Sequence, residues 1–144
     1  MQSSTVLSYR YLEHATDAIV EVEAPTLEEA FVLAGMSVVN TILDSSLVEE
    51  KKERTLDVTG KDLSYLLYNW LEEMIILTIT EGFATKKIRL RIEKNESYRI
   101  AAVLAGEDIN FEKHHFKVEI KSPTFHMMEI NLEKGVMMRF LLDL

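Results

Sequence analysis

The chain of 144 residues is 47% hydrophobic and 28% charged, with only 5 Gly and 2 Pro, which excludes a disordered or fibrous protein and predicts one globular domain over residues 1–144. The absence of cysteine excludes thiol catalysis, disulfides and thiolate zinc sites. The net charge of −8 disfavours tight independent nucleic-acid binding, and with neither a leader pattern nor an apolar run of membrane-spanning length we expect a cytoplasmic protein that does not enter a membrane.

Two strands and a helix are predicted in the first third of the chain. The strands cover residues 6–12 and 18–24, because apolar and polar residues alternate through the second of them. Thr26 and Glu29 have the spacing of a capping box. The apolar residues behind them recur at helical spacing, which predicts a first helix as far as about Leu43.

A short strand over residues 55–59 and a second helix follow. Asp62 is the predicted N-cap of that helix. The apolar positions with helical spacing form its predicted buried stripe, namely Leu63, Leu66, Leu67, Trp70, Leu71 and Met74. The apolar stretch 75–79 is too short to span a membrane, so we interpret it as the end of the helix beneath a sheet, with Gly82 as the stop.

The rest of the chain alternates with a period of two residues. Five strands are predicted, approximately over residues 88–92, 98–104, 117–121, 125–132 and 136–142. Turns at residues 95–96 and 133–135 join antiparallel neighbours. The order β-β-α-β-α-β-β-β-β-β predicts an α+β fold of two layers, with two helices on one face of a mainly antiparallel sheet.

The first of three candidate sites lies at the bend between the two opening strands. It contains His14, Thr16 and Asp17. The ordinary interpretation is a turn in which Thr16 or Asp17 bonds to nearby backbone. The alternative is a functional site.

The second candidate site is the end of the chain, where Asp143 precedes the α-carboxylate of Leu144. Chain ends often fray and carry charge without a role. Here the last residues are apolar and in strand phase, which predicts that this end packs into the sheet. Clustered oxygen ligands of this kind are those that Ca²⁺, Mg²⁺ and Mn²⁺ prefer.

The third candidate site contains His114, His115, Lys121 and His126. Adjacent histidines in an extended segment project to opposite sides and cannot easily share one metal ion, so surface or hydrogen-bonded structural roles are the commoner outcome. Lys121 and His126 flank a bend predicted at Pro123, and they are predicted to form a polar wall.

The sequence lacks the common motifs of phosphate-binding loops, dinucleotide-binding folds, nucleophile elbows and zinc proteases. The three clusters, in their order along the chain, instead resemble the archease family. The family's H-T-A-D motif is similar to residues 14–17, with the middle pair exchanged. Its G-x-D-L-x-x-L-L-x-x-W-L motif is similar to residues 60–71, and Glu72 replaces the usual Asn. Its remaining motifs are matched by Gly106-Glu107 with Lys113-His114, by residues 121–126 with Phe125 for Tyr, and by Leu142-Asp143-Leu144.

The resemblance implies a non-enzymatic activator of the RtcB-type RNA ligase, the GTP- and Mn²⁺-dependent enzyme of tRNA splicing. An archease would promote guanylylation and multiple turnover of that ligase. The family's divalent ion maps onto Asp17, Asp143 and the terminal carboxylate of Leu144, with Ca²⁺ expected in a structure and Mn²⁺ or Mg²⁺ in function. His14, Lys121 and His126 are the expected contacts to the ligase or its nucleotide.

Two other functions remain open at this point. One is a metal-dependent phosphoesterase in which Asp17 and Asp143 bind the metal and His14 or His126 is the general base. The other is a chaperone-like adaptor that needs no metal.

Overall fold

The computed structural model describes residues 7–12 and 16–144. In chain order the strands and helices are β1 (Ser8–Leu12), β2 (Asp17–Ala24), α1 (Leu27–Ile42), β3 (Lys52–Gly60), α2 (Leu63–Ile75), β4 (Phe83–Lys94), β5 (Tyr98–Asp108), β6 (Ser122–Asn131) and β7 (Val136–Asp143). A 3₁₀ turn over Ser45–Leu47 follows α1, and a π-helical turn over Ile76–Thr80 extends α2.

The strands form two antiparallel sheets. One has the order β1-β2-β7-β6 and the other has the order β3-β5-β4. Each helix contacts strands of both sheets, so the helices join the two sheets into one core. The predicted α+β class, the two helices and the antiparallel pairing are confirmed. Within the described residues there are seven strands in two sheets, where the sequence pattern predicts eight strands.

Both helices begin at the residues that the sequence predicts. The Thr26 hydroxyl accepts a hydrogen bond from the Glu29 backbone N–H at 3.2 Å, and the Asp62 carboxylate accepts one from the Tyr65 N–H at 2.9 Å. Each bond satisfies a donor that the first helical turn leaves free. The π-helical turn ends before Gly82, whose φ of 67° is readily adopted by glycine.

The core lies around α1 and α2, and its largest buried side chain is Trp70. The indole N–H of Trp70 donates to the backbone oxygen of Phe31 at 2.8 Å, which fixes α2 against α1 without leaving a buried donor unpaired. None of the helices in residues 7–12 and 16–144 combines the length and the apolar character that crossing a bilayer requires.

Gly106 in β5 allows a close approach of two strands. A side chain at this position would collide with the backbone oxygen of Ala84 in β4. The approach lies beside the irregularity in β4 between Thr85 and Lys87. The conformation therefore requires glycine here for space, and not for an unusual φ.

The strand predicted over residues 117–121 is an extended segment outside both sheets. Its backbone is bonded to helix α1 instead, since the Lys117 N–H donates to the Ile42 oxygen at 2.7 Å. Ile120 is buried, and that one-sided burial produces the alternation seen in the sequence. Pro123 also differs from its prediction. It lies inside β6, an edge strand of its sheet, opposite Leu142, and not at a bend.

Candidate functional site

The two acidic residues predicted to share a site lie directly opposite each other. Asp17, the first residue of β2, is the antiparallel partner of Asp143, the last residue of β7. Ser122, the first residue of β6, flanks Asp143 on the other side. Cα atoms of such partners are about 4.5–5.5 Å apart, and their side chains leave the same face of the sheet. Three strand ends therefore place two carboxylates and a hydroxyl side by side.

The C-terminal end is held in place. The Lys121 backbone N–H donates to the Asp143 backbone oxygen at 2.8 Å, and Leu144 packs against the core. Asp17 and Asp143 are each half-buried. Leu144, whose α-carboxylate is the third ligand that the resemblance implies, follows Asp143 by one residue at the same end of the sheet.

The side chains alone do not form a complete cation site. Among residues 7–12 and 16–144, no three His, Asp or Glu side chains are grouped as a metal ion would require. The carboxylates of Asp17 and Asp143 are hard oxygen donors suited to Ca²⁺, Mg²⁺ or Mn²⁺, and the rest of the coordination would come from other groups. The residues present therefore fit part of a cation site.

The other predicted site residues are distributed around this acidic end. Thr16 is exposed at the bend immediately before Asp17, whereas His14 lies outside the described residues. Lys121 is exposed and joined through its backbone to Asp143. His126 is also exposed, but it lies farther along β6, beyond the pair that Thr124 forms with Leu141.

The residues around His126 form a wide bulge in β6. Thr124 pairs with Leu141 and Glu129 pairs with Arg139, so four residues of β6 stand opposite Phe140 alone. The His126 N–H donates to the Thr124 hydroxyl at 2.8 Å, which tightens the start of the bulge. The predicted polar wall of Lys121 and His126 is therefore divided between the acidic end and this bulge.

The adjacent histidines have different environments. His114 is fully buried, and His115 is exposed with a φ of 53°. The Nδ1 of His114 accepts a hydrogen bond from the Asn110 N–H at 3.0 Å, so its Nε2 carries the proton and donates to Glu107 at 2.9 Å. His114 is therefore a buried, hydrogen-bonded structural histidine, the commoner of the outcomes weighed from the sequence.

Glu107 joins His114 to two other groups. Its carboxylate accepts hydrogen bonds from the Lys113 ammonium at 3.0 Å and from the Glu49 backbone N–H at 2.9 Å. The Lys113 ammonium, the Glu49 N–H and the His114 ring, in that order of effect, lower the pKa of Glu107 to about 2. The G-E and K-H motifs thus meet in a structural network that begins on β5, in the sheet that does not contain the acidic end.

An exposed group of aromatic rings was not predicted from the sequence. We define the aromatic cluster as Tyr65, Tyr68 and Phe125. The Phe125 ring is stacked on Tyr68, with centroids 4.4 Å apart and planes 9° apart, and it is 5.0 Å from the Tyr65 centroid. The sequence signal was the placement of two tyrosines three residues apart on α2 outside its buried stripe.

Comparison with known proteins identifies the family of the chain. The model of the Archease protein family (MTH1598/TM1083) matches residues 9–144. The protein archease of Pyrobaculum neutrophilum is 44% identical over 124 residues, covering 85% of this chain and 84% of that protein. The protein archease of Pyrobaculum islandicum is 36% identical over 146 residues and covers 99% of both chains.

Solved structures agree with these matches. The solution structure of protein 1598 of Methanobacterium thermoautotrophicum has a TM-score of 0.82 and 32% identity, and it covers 96% of this chain and 100% of that one. The crystal structure of an archease, possible chaperone, of Thermotoga maritima has a TM-score of 0.57 and 16% identity, covers 94% of this chain and 96% of that one, and supports the fold alone. The resemblance inferred from the order of the motifs is confirmed, and the chain belongs to the Archease protein family.

Proposed function

We propose that this chain activates an RtcB-type, GTP- and Mn²⁺-dependent RNA ligase in tRNA splicing by promoting ligase guanylylation and multiple turnover. The observation that carries the proposal is the pairing of Asp17 with Asp143 across β2 and β7. This pairing gathers the two carboxylates that the family resemblance assigns to a divalent cation. Membership of the Archease family supports the proposal.

The incomplete ligand set suits an activator better than an independent enzyme. Ca²⁺ takes 6–8 oxygen ligands, more than Asp17, Asp143 and the Leu144 terminus supply, and a cation held here keeps positions for groups of the ligase. When bound, such a cation stabilises negative charge on phosphate oxygens. Asp17 and Asp143 hold it, while the pairing of β7 with β2 and β6 fixes their orientation.

Three further residues belong to the proposal as contacts. Lys121 is exposed beside Asp143, and we assign it to the ligase surface or to a guanylate phosphate. His14 and His126 are assigned the same kind of contact from the family motifs. The same proposal places the chain in the cytoplasm, because an activator and its ligase must meet where tRNA splicing takes place.

A multiple-turnover RNA ligation assay tests this function. Wild-type protein is expected to increase product formation by the cognate ligase at limiting Mn²⁺. Asp17→Asn and Asp143→Asn are expected to lose most of the stimulation, roughly 10-fold or more, because a neutral amide is a poorer cation ligand than a carboxylate. Asp108→Asn is the matched control, since Asp108 also ends a strand but its carboxylate binds Lys52 at 2.8 Å.

Wild-type protein and the aspartate variants also distinguish the activator from the two alternative functions. Equal stimulation by wild type and both aspartate variants, also after chelation of metal, would indicate the metal-independent adaptor. Turnover of phosphodiester or phosphomonoester substrates by the chain alone with Mn²⁺, abolished in Asp17→Ala, would indicate the phosphoesterase. A ligase whose turnover is unchanged by wild-type protein would refute the activator.

A further inference from the structure

The bulge in β6 and the outer side of α2 form an exposed apolar surface. Tyr65 is 41% exposed, Phe125 44% and Met127 45%, although all three are large side chains. Phe125 is supported from beneath by its stack on Tyr68. The result is a protruding surface with fixed rings, and it is separate from the acidic pair at the end of the strand.

The backbone is strained where it presents these side chains. Met127 has a φ of 61°, a conformation that methionine adopts with difficulty. The bulge also interrupts the pairing of β6 with β7, so ladder hydrogen bonds are given up at this point. Backbone strain of this kind is concentrated at functional sites, and neither feature is needed to fill the core, since Phe125 and Met127 face solvent.

One cation lies at the edge of this surface. The Lys61 ammonium lies 4.3 Å from the centroid of the Tyr65 ring, and His126 is exposed between Phe125 and Met127. Two carboxylates nearby have partners inside the protein, since Asp62 accepts the Tyr65 N–H at 2.9 Å and Glu129 pairs with Arg139 at 3.4 Å. In a chain of net charge −8, this surface presents an apolar centre with one lysine, Lys61, at its edge.

The composition and shape favour a protein partner over RNA. Aromatic residues and methionine are enriched at protein interfaces and supply most hot spots. Phe125 and Met127 protrude on a bulge, so they suit insertion into a pocket. The net charge of −8 opposes the approach of a polyanion.

We propose that Phe125, Met127 and Tyr65 form the docking surface for a partner protein whose matching surface is an apolar pocket with a carboxylate at its edge, opposite Lys61. This inference rests on the proposed function, which makes the ligase that partner. The docking surface supplies affinity, and the acidic pair at Asp17 and Asp143 supplies the activating chemistry. The two sets of residues therefore have separable effects.

Met127→Gly is the sharpest test, because glycine adopts a φ of 61° without strain and the variant is expected to fold at least as stably as wild type. Its affinity for the cognate ligase is expected to fall roughly 10-fold or more, as when an interface hot spot is truncated. Phe125→Ala is expected to give a similar loss. Phe111→Ala is the matched control, since Phe111 is 63% exposed and lies outside the surface.

Binding is measured by titration calorimetry, and ligation is measured at limiting and at saturating concentrations of each variant. Saturation is expected to restore stimulation by Met127→Gly but not by Asp143→Asn. Equal affinity of Met127→Gly, Phe125→Ala and wild type would overturn the docking surface alone. No binding and no stimulation by wild type would overturn the proposed function and this inference with it. Loss of single-stranded RNA binding in Phe125→Ala, with ligase affinity unchanged, would assign the surface to nucleic acid instead.

Discussion

At the scale of single residues, His114 and His115 show that neighbours in sequence have unrelated roles. His114 is buried and uses both ring nitrogens, one as an acceptor and one as a donor, whereas His115 is exposed in a left-handed conformation. Protonation of His114 would turn its Nδ1 from an acceptor into a donor aimed at the Asn110 N–H. Both ring nitrogens of this buried side chain are already hydrogen-bonded inside the protein, which suits a structural role and leaves no ring nitrogen to take a proton from a substrate.

His114→Ala is expected to lower the free energy of unfolding by about 1–3 kcal/mol, because it removes buried hydrogen bonds to Glu107 and Asn110. Urea unfolding followed by circular dichroism measures the loss. His115→Asn is the control and is expected to change little, since asparagine tolerates a φ of 53°. A loss of the same size in both variants would contradict the structural role of His114.

At the scale of elements, the connection over residues 109–121 belongs to neither sheet, but its backbone is hydrogen-bonded to other parts of the protein. The Ile109 N–H donates to the Gly82 oxygen at 2.8 Å, and the Asp44 N–H donates to the His114 oxygen at 2.9 Å. Glu107 secures the start of the connection through Lys113 and His114. Backbone partners on α1 and on the loops thus replace those that a sheet would have given.

The pH dependence of stability is expected to report this anchoring. The pKa of Glu107 is lowered from 4.5 to about 2 in the folded protein, so its contribution is fully present above about pH 4.5 and is lost as the pH falls towards 2. Urea midpoints measured across this range for wild type and Glu107→Gln isolate the effect. The difference between the two proteins is expected to shrink as the pH falls, and a constant difference would contradict the assignment.

The elements that the sequence predicts well are those with local signals. Thr26 and Asp62 mark helix starts because a cap is a contact within four residues. Alternation around Ile120 indicates only an extended backbone, and the partner of that backbone is set by distant residues. The bulge after Thr124 has neither Gly nor Pro to mark it, so the spacing of Tyr65 and Tyr68 on α2 could not indicate that Phe125 of β6 would contact them.

At the scale of the whole molecule, the pairing of β2 with β7 is the feature on which the candidate cation site depends. It brings Asp17 and Asp143 together from opposite ends of the sequence. Motif order and family resemblance predicted the residues of this site. Composition and periodicity could not, because the pairing of distant strands is decided by packing across the whole core.

Blocking the α-carboxylate of Leu144 tests whether the terminus takes part. A short C-terminal extension is expected to weaken Mn²⁺ or Ca²⁺ binding and ligase stimulation, since the peptide bond it creates replaces a charged ligand by a neutral one. An N-terminal extension of the same sequence is the control and is expected to have little effect. Calorimetric titration of both proteins with each cation makes the comparison, and identical behaviour would remove Leu144 from the ligand set.

The central position of β7, between β2 and β6, also has a consequence for the order in which the protein folds. The β4 and β5 hairpin is local, whereas β7 must find a partner near the beginning of the chain, and such distant pairings close slowly. We expect the β3-β5-β4 sheet to form first. The backbone groups of β2 and β6 that pair with β7 would lack hydrogen-bond partners until β7 inserts between them. The acidic end would then be among the last parts of the molecule to assemble, and a nascent or truncated chain would lack it.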